Sequence, residues 1–260
     1  MKKNSYNSPG IIIHWSRQMN ESVQTISYAN LALAFLPVAA VIFILWRWRS
    51  GYSTSLYAVF RMLVQLMLIG YVLVYIFEAD SSLIVAGVLA VMLFSSGWIA
   101  LRTLKLPRTR MYSKCLLAML LGAGTIVMLI TQGVLNLHPW YLPSYMIPLA
   151  GMIFASAMNS ISLAGERLKA EIDSDVPFDA ARNTALQASL IPITNSLFAV
   201  GLVSLPGMMT GQILSGVSPF IAARYQIMVM CMMFGSAGLS SAIFLMLIKA
   251  DLKKYKASIL

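Results

Sequence analysis

Few residues of this 260-residue chain could do chemistry inside its apolar segments, and Arg61 and Gln65 are the first of them. Arg61 and Gln65 are spaced one helical turn apart, so a helix would place both on one face. An ionisable residue inside a membrane-spanning segment is by default a functional candidate. The alternative is that Arg61 extends from about one turn inside the segment to the lipid headgroups. Both interpretations stay open, although Gln65 also needs a polar partner.

Two other apolar runs carry small polar residues. They are "ASAMNSIS" at 155–162, which contains Asn159, and "PITNS" at 192–196, which contains Asn195. Such residues commonly join membrane helices through close packing and hydrogen bonds. A polar lining for a hydrophilic cargo is the alternative. We therefore select Asn159 and Asn195, together with Arg61 and Gln65, as candidate path-lining or helix-joining residues.

The usual metal and catalytic motifs do not appear in the sequence. The six methionines between 208 and 233 could bind a soft ion such as Cu(I), but core packing explains them better. Cys115 and Cys231 lie in apolar runs, and the two histidines, His14 and His138, are far apart. The sequence contains no P-loop, HExxH or CxxC motif. We predict neither an enzyme nor an ATP site, and the metal ligands stay unidentified.

The composition is that of a polytopic membrane protein. Hydrophobic residues make up 59% of the chain and charged residues 11%. A membrane span needs about 20 mostly apolar residues. We predict an all-α fold with about seven transmembrane helices, at 26–46, 56–77, 83–101, 115–135, 142–165, 193–214 and 226–248.

The basic residues predict the orientation of the chain. Fourteen of the 19 Lys and Arg residues fall in links on one side of the membrane, and four fall on the other side. The positive-inside rule then places the N-terminus outside and the C-terminus in the cytoplasm. This topology explains the net charge of +10 without nucleic-acid binding. The predicted parts are an extracytoplasmic segment (1–25), a transmembrane domain (26–250) and a basic cytoplasmic tail (251–260).

The longest polar stretch, 166–192, is predicted to be cytoplasmic and to contain a helix from about 177 to 191. Asp179 would stand where the helix dipole favours an anion. Small residues recur at helical spacing after one aromatic, and this stripe comprises Phe178, Ala181, Ala185 and Ser189. The stripe could rest on a partner, but its periodicity alone favours a solvated connector.

The uncharged stretch "GLVSLPGMMTGQILSG" at 201–216 should interrupt the sixth span. Pro206 cannot donate a hydrogen bond to the Leu202 carbonyl, and Gly207 adds backbone freedom. Gly207 and Gly211 form a G-x-x-x-G pattern, which allows another backbone to approach closely. Interrupted spans also form substrate sites in many transporters. A packing joint and a substrate path therefore both stay open.

Three segments resemble the bacterial Fet-type permease family, the membrane subunit of an ABC iron exporter. They are "VGLVSLPGMMTGQILSGVSPFIAARYQIMVM" at 200–230, "RMLVQLMLIGYVLVYIF" at 61–77 and "IPLAGMIFASAMNS" at 147–160. A similar plant branch is tied to aluminium tolerance and to UDP-glucose transport. Two features depart from such permeases. The N-terminal segment of about 20 residues is longer than the usual start of such permeases. The segment "DAARNTALQASLIP" at 179–192 lacks the glycine of the ATPase-docking loop of ABC importers.

The resemblance implies a permease subunit in the bacterial plasma (inner) membrane. It would pair as a homodimer and with two copies of a separate ABC ATPase, which would bind ATP and Mg²⁺, and it would export iron. From polarity and position, we assign Phe178 and Asp179 to the ATPase contact and Pro206 and Gly207 to a hinge, with Gly211 packing beside it.

Three alternatives stay open. The cargo could be another metal or a nucleotide sugar. A stand-alone secondary transporter would need a buried carboxylate, and none of the nine acidic residues falls in a predicted span. A non-transporting scaffold agrees less well with the polar residues in the spans.

Overall fold

The computed structural model describes residues 26–78, 81–102, 104 and 108–251, and all regular elements in this part of the chain are helical. The all-α prediction is therefore confirmed. The predicted segment 1–25 and most of the predicted tail lie outside the described residues. The helices are α1 (Tyr28–Leu33), α2 (Phe35–Arg47), α3 (Tyr52–Glu78), α4 (Ser82–Ala100), α5 (Arg108–Met119), α6 (Thr125–Met128), α7 (Pro143–Asp173), α8 (Phe178–Ala199), α9 (Gly207–Leu214) and α10 (Pro219–Leu247).

Two π-helical segments, Leu120–Gly124 and Leu129–Val134, flank α6. The backbone stays right-handed helical at their junctions with the α-helices, so 108–134 forms one continuous helical rod. This rod supplies the predicted fourth span.

Six helical segments of the described chain are long and apolar enough to cross a membrane. They correspond to the predicted spans one to five and seven, and the chain is a multi-pass membrane protein. The segments are Tyr28–Arg47, Tyr52–Ile76, Ser82–Ala100, Met111–Val134, Pro143–Asp173 and Pro219–Asp251.

The sixth predicted span does not form one helix. Instead, α8 runs without a stop through the predicted cytoplasmic helix and on to Ala199. Residues 200–206 then leave the helical conformation, and the short α9 follows. The expected boundary between a cytoplasmic helix and a span near residue 192 is therefore wrong, because Pro192 is accommodated inside α8.

The first residues of α8 lie beside the end of the last spanning segment, and its later residues lie deep in the helix bundle. Lys249 contacts the start of α8 at Asp179, whereas Ile193 packs in a cluster with Met230 and Ala237. Over its 22 residues α8 itself rises about 33 Å. The hydrocarbon core of a bilayer is about 30 Å thick. The extent of α8 therefore matches a crossing, although its composition is more polar than that of the six apolar segments.

The small-residue stripe of α8 is buried inside the chain. Ala181 and Ala185 have no exposed surface, and Ser189 is also buried. The preference for a solvated connector is therefore wrong. Periodicity marked the stripe, but only the tertiary structure shows that α7 and α10 cover it.

The chain divides into two compact units. The described part of the first unit comprises 26–75 and 214–217, and neither α1 nor α2 has a buried residue. The second unit comprises 76–213 and the chain from 218 onward, and it holds the hydrophobic core. Large side chains with almost no exposed surface in this core include Met119, Ile153, Ile161, Leu168, Met232 and Phe244.

The closest backbone approach at a described glycine of the second unit is at Gly122. A Cβ built on Gly122 would lie 2.6 Å from the backbone nitrogen of Ser240 in α10. By contrast, no described atom lies within 4 Å of a Cβ built on Gly207 or Gly211. Among the described residues, close helix packing therefore uses Gly122 and not the G-x-x-x-G pattern noted in the sequence.

Candidate functional site

A groove of about 330 Å³ opens between α7, α8 and α10. Its lining is neutral and mixes aliphatic side chains with hydroxyls, thioethers and one amide. The polar and sulfur-bearing residues around it are Met152, Ser156, Asn159, Ser160, Ser189, Ser196 and Met233. The groove contains one of the sequence-predicted residues, Asn159.

Buried serines hold the three helices of the groove together. Ser241 of α10 donates a hydrogen bond to the hydroxyl of Ser160 over 2.7 Å. Ser160 in turn donates to the carbonyl of Ser189 in α8 over 3.3 Å. This chain of hydrogen bonds links α10, α7 and α8 in the interior of the bundle.

A second pair of hydrogen bonds joins α7 directly to α10. Ser156 donates to the Met233 carbonyl over 2.9 Å, and Ser236 donates to the Ile153 carbonyl over 2.7 Å. These serines therefore act as inter-helix contacts. The sequence analysis missed Ser236 and Ser241, although the small polar run "GSAGLSSA" at 235–242 carries the same signal as "ASAMNSIS".

The structure separates Asn159 from Asn195. Asn159 is exposed in the groove, and its amide forms no hydrogen bond within the described residues. Asn195 is also exposed, but it does not line the groove. The groove receives Ser189, Pro192, Ile193 and Ser196 from α8. At 3.6 residues per turn, Asn195 points about 110° away from their direction.

Gln187 is a further exposed amide on α8, and the sequence analysis did not select it. It points about 170° away from the groove. Gln187 was overlooked because it stands in the stretch predicted to be cytoplasmic, where a glutamine needs no explanation. Gln187 becomes a candidate only because the structure places α8 inside the helix bundle, where an exposed amide is unusual.

Arg61 and Gln65 interact with each other in α3, which belongs almost entirely to the first unit. With its amide oxygen turned toward Arg61, Gln65 accepts hydrogen bonds from the Arg61 Nε over 3.1 Å and Nη2 over 3.2 Å. No carboxylate of the described chain forms an ion pair with Arg61. The predicted shared face therefore exists, and it carries a positive charge.

Phe178 and Asp179 begin α8 and are held by Lys249. The Lys249 Nζ lies 4.9 Å from the Phe178 ring centroid and 3.6 Å from an Asp179 carboxylate oxygen. Arg182 also approaches Asp179, at 3.3 Å. Lys114 of α5 forms an ion pair with Asp251, which follows α10. Several charges that are scattered along the sequence therefore collect at one end of the second unit.

The interruption after α8 starts before Pro206. Gly201 has a φ of 82°, which is in the left-handed region, and its N–H donates to the Ser204 carbonyl. Pro206 lies just before α9, and its carbonyl accepts hydrogen bonds from the backbone N–H and the hydroxyl of Thr210. The sequence correctly predicted an interruption, but Pro206 starts the next helix and does not break a continuous one.

No group of three His, Cys, Asp or Glu side chains in the described residues could hold a metal ion. Cys115 is buried, whereas Cys231 is exposed. Gln226 is 5% exposed, and its side-chain oxygen has no hydrogen-bond partner in the described chain.

Comparison with known proteins identifies the family. The profile of the Uncharacterised protein family UPF0014 matches residues 28–177 and 174–252. The UPF0014 membrane protein slr1647 of Synechocystis sp. is 40% identical over 74% of this chain and 80% of its own length. The "Probable iron export permease protein FetB" of Escherichia coli is 34% identical over 84% of this chain and 89% of its own length.

A plant protein is related at a similar level. "Protein ALUMINUM SENSITIVE 3" of Arabidopsis thaliana is 34% identical over 79% of this chain and 82% of its own length. No solved structure matches the chain. These relatives confirm the resemblance drawn from the three sequence segments, and the chain belongs to the UPF0014 family of membrane proteins.

Proposed function

We propose that the chain is the permease subunit of an ABC exporter in the bacterial plasma membrane. The observation that carries this proposal is the similarity to the E. coli protein named as a probable iron export permease, which extends over 89% of that protein. Two copies of the chain would form the pore, and a separate ATPase would bind ATP and Mg²⁺. The chain itself would have no enzymatic activity.

The contacts around the turn between α7 and α8 support an ATPase-docking role for Phe178 and Asp179. Ion pairs from Arg167 to Glu171 and from Lys169 to Asp173 stabilise the end of α7 before the turn. Lys249 connects the start of α8 to the last spanning segment. A displacement imposed by the ATPase at this turn would therefore act on α7, α8 and α10 together.

We propose iron as the cargo, and Asn159 and Asn195 as residues that contact it or join helices. Arg61 and Gln65 keep the same two candidate roles in α3. The Arabidopsis relative, whose name refers to aluminium, favours another metal as the second candidate cargo. The hinge proposed for Pro206 and Gly207 now includes the whole non-helical segment 200–206, with Gly201 as its left-handed residue.

The test is ATP-dependent transport in vesicles that contain this chain and its cognate ATPase. Inside-out vesicles should accumulate iron when Fe(II) and Mg-ATP are supplied outside. An ATPase variant that lacks its P-loop lysine is the matched control and should abolish the flux. Flux through this chain alone would contradict the ABC assignment. ATP-dependent flux of Al(III) or UDP-glucose without flux of Fe(II) would contradict the iron assignment.

A further inference from the structure

We propose that a second copy of this chain docks on the outward face of α8, through Gln187 and Asn195. This face is defined by Gln187, Ile191, Asn195 and Phe198. The inference deepens the proposed function, because it assigns the surface through which two permease copies would meet. All four side chains are exposed, and their spacing places them along one side of the helix.

Gln187 and Asn195 lie at the depth of the bundle interior. Ser189, two positions after Gln187, receives the hydrogen bond from Ser160 in the bundle interior. Ile193, two positions before Asn195, packs with Met230 and Ala237 of α10. Gln187 and Asn195 therefore lie beside the apolar stretch of the last spanning helix. Their side chains are too short to reach the headgroups as a lysine or arginine does.

Both amides lack hydrogen-bond partners among the described residues. Neither Gln187 nor Asn195 forms a side-chain hydrogen bond within the described residues, and both are exposed. Lipid chains offer no donor or acceptor, so an amide that faces them is unfavourable. By contrast, the neighbouring Ser196 hydroxyl is satisfied by the Pro192 carbonyl of its own helix. A neighbouring helix with polar groups at these positions would satisfy both amides.

The chemistry of the face favours a second copy of the same chain. A side-chain amide has both donors and an acceptor, so two identical amides can pair with each other. A two-fold axis along the membrane normal brings residues of equal depth together, Gln187 to Gln187 and Asn195 to Asn195. The face between Gln187 and Phe198 is uncharged, and the two charged residues of α8, Asp179 and Arg182, already pair near its start. A charged partner would find no counter-charge on it.

Exposed apolar residues complete the contact surface. Ile191 is 56% exposed and Phe198 is 78% exposed, and they alternate with the two amides. Residues at this spacing form ridges that pack into the grooves of a neighbouring helix. Interhelical amide bonds would then fix the register.

Disulfide cross-linking in native membranes tests this surface. The background carries Cys231→Ser, which removes the exposed thiol, and it retains the buried Cys115. Oxidation should cross-link the Gln187→Cys and Asn195→Cys variants into dimers. The matched control is Asn159→Cys, which places an exposed residue in the groove and should stay monomeric on a denaturing gel. Cross-linking at residue 159, with none at 187 or 195, would overturn the proposal.

The oligomeric state of the chain without the ATPase gives an independent measurement. Photobleaching-step counting in lipid nanodiscs should show two copies, and Gln187→Leu combined with Asn195→Leu should lower the dimer association constant about tenfold. A monomeric wild-type chain would overturn the proposal, as would reaction of the two cysteine variants with a membrane-impermeant thiol reagent without cross-linking. Cross-linked dimers without ATP-driven transport would refute the proposed function and leave the interface standing.

Discussion

The Nζ of Lys249 lies 3.6 Å from a carboxylate oxygen of Asp179. These residues are 70 positions apart in the sequence, yet their contact places the start of α8 at the end of the last spanning segment. An exposed ion pair contributes little stability by itself. Its value is positional, because it aligns α8 with α10 and shows that the polar stretch after α7 enters the helix bundle.

This alignment predicts that α8 crosses the membrane. Ser174, before α8, and Ser204, after it, are both exposed. In a Cys231→Ser background, the Ser174→Cys and Ser204→Cys variants should react with a membrane-impermeant maleimide from opposite sides of the membrane. By the positive-inside rule, Ser174→Cys should react from the cytoplasm. The measurement compares labelling of intact cells with labelling of inside-out vesicles.

Labelling of both variants from the same side would show that α8 does not cross. Reversed labelling would leave the crossing intact and contradict the predicted orientation. The Asn159→Cys variant, predicted to lie in a span, should react slowly from either side.

The packing of Gly122 against Ser240 predicts a large effect of a single methyl group. In Gly122→Ala, the new Cβ would lie 2.6 Å from the Ser240 nitrogen and 2.7 Å from its Cα. Because backbone atoms cannot rotate away, the helices must separate, and we expect a loss of about 1–3 kcal/mol. The midpoint of unfolding in mixed detergent micelles measures it.

Gly87→Ala is the matched control in α4. No described atom lies within 4 Å of a Cβ built there. Alanine should be neutral or stabilise the helix by up to about 1 kcal/mol. Equal effects of the two substitutions would contradict the close approach of the rod 108–134 to α10.

The hydrogen bond between Ser241 and Ser160 predicts non-additive substitutions. Each of Ser160→Ala and Ser241→Ala should lower stability, and the double variant should lose less than the sum. We expect a coupling energy of about 0.6–1.7 kcal/mol. The four unfolding midpoints of the double-mutant cycle measure it, with Ser196→Ala as a near-neutral control. Additive losses would show that the two hydroxyls do not interact.

The left-handed backbone of Gly201 predicts opposite effects at two glycines of the interrupted segment. Gly201 has a φ of 82°, so Gly201→Ala should cost about 1–2 kcal/mol. Gly207 begins α9 outside the left-handed region and has free space around it, so Gly207→Ala should be neutral or slightly stabilising. Thermal unfolding midpoints compare the two. A larger loss of stability in Gly207→Ala than in Gly201→Ala would contradict this prediction. It would show that Gly207, the glycine selected from the sequence, has the greater conformational role.

The sequence predicted the fold well in the segments whose apolar composition alone indicates a membrane span. Six spans follow from runs of apolar residues that must leave water, and their positions agree with the described helices. Residues 178–192 could not be assigned in this way, although 193–199 were predicted to begin the sixth span. Residues 178–192 contain Asp179, Arg182, Asn183 and Gln187, so they were predicted to be cytoplasmic. Contacts from α7 and α10 place them in the bundle.

The candidate site was predicted only in part for the same reason. Sequence polarity found Asn159 and the serines of "ASAMNSIS", because polar residues stand out in an apolar run. It could not show that Asn159 and Asn195 point in different directions, since that depends on where the neighbouring helices lie. Gln187 and Lys249 were missed, because neither residue is unusual without the spatial neighbours of α8.

By itself, the sequence determined the chemical class of the chain and its family. Transfer of apolar residues from water is a local and additive effect, so it fixes an all-helical membrane protein, and the Pro and Gly residues fix an interruption near 200–207. Only the tertiary structure decided that α8 joins the bundle, that Ser160 connects three helices and that Gly122 is the close contact. These relations depend on contacts between residues far apart in sequence, which no local property of the chain specifies.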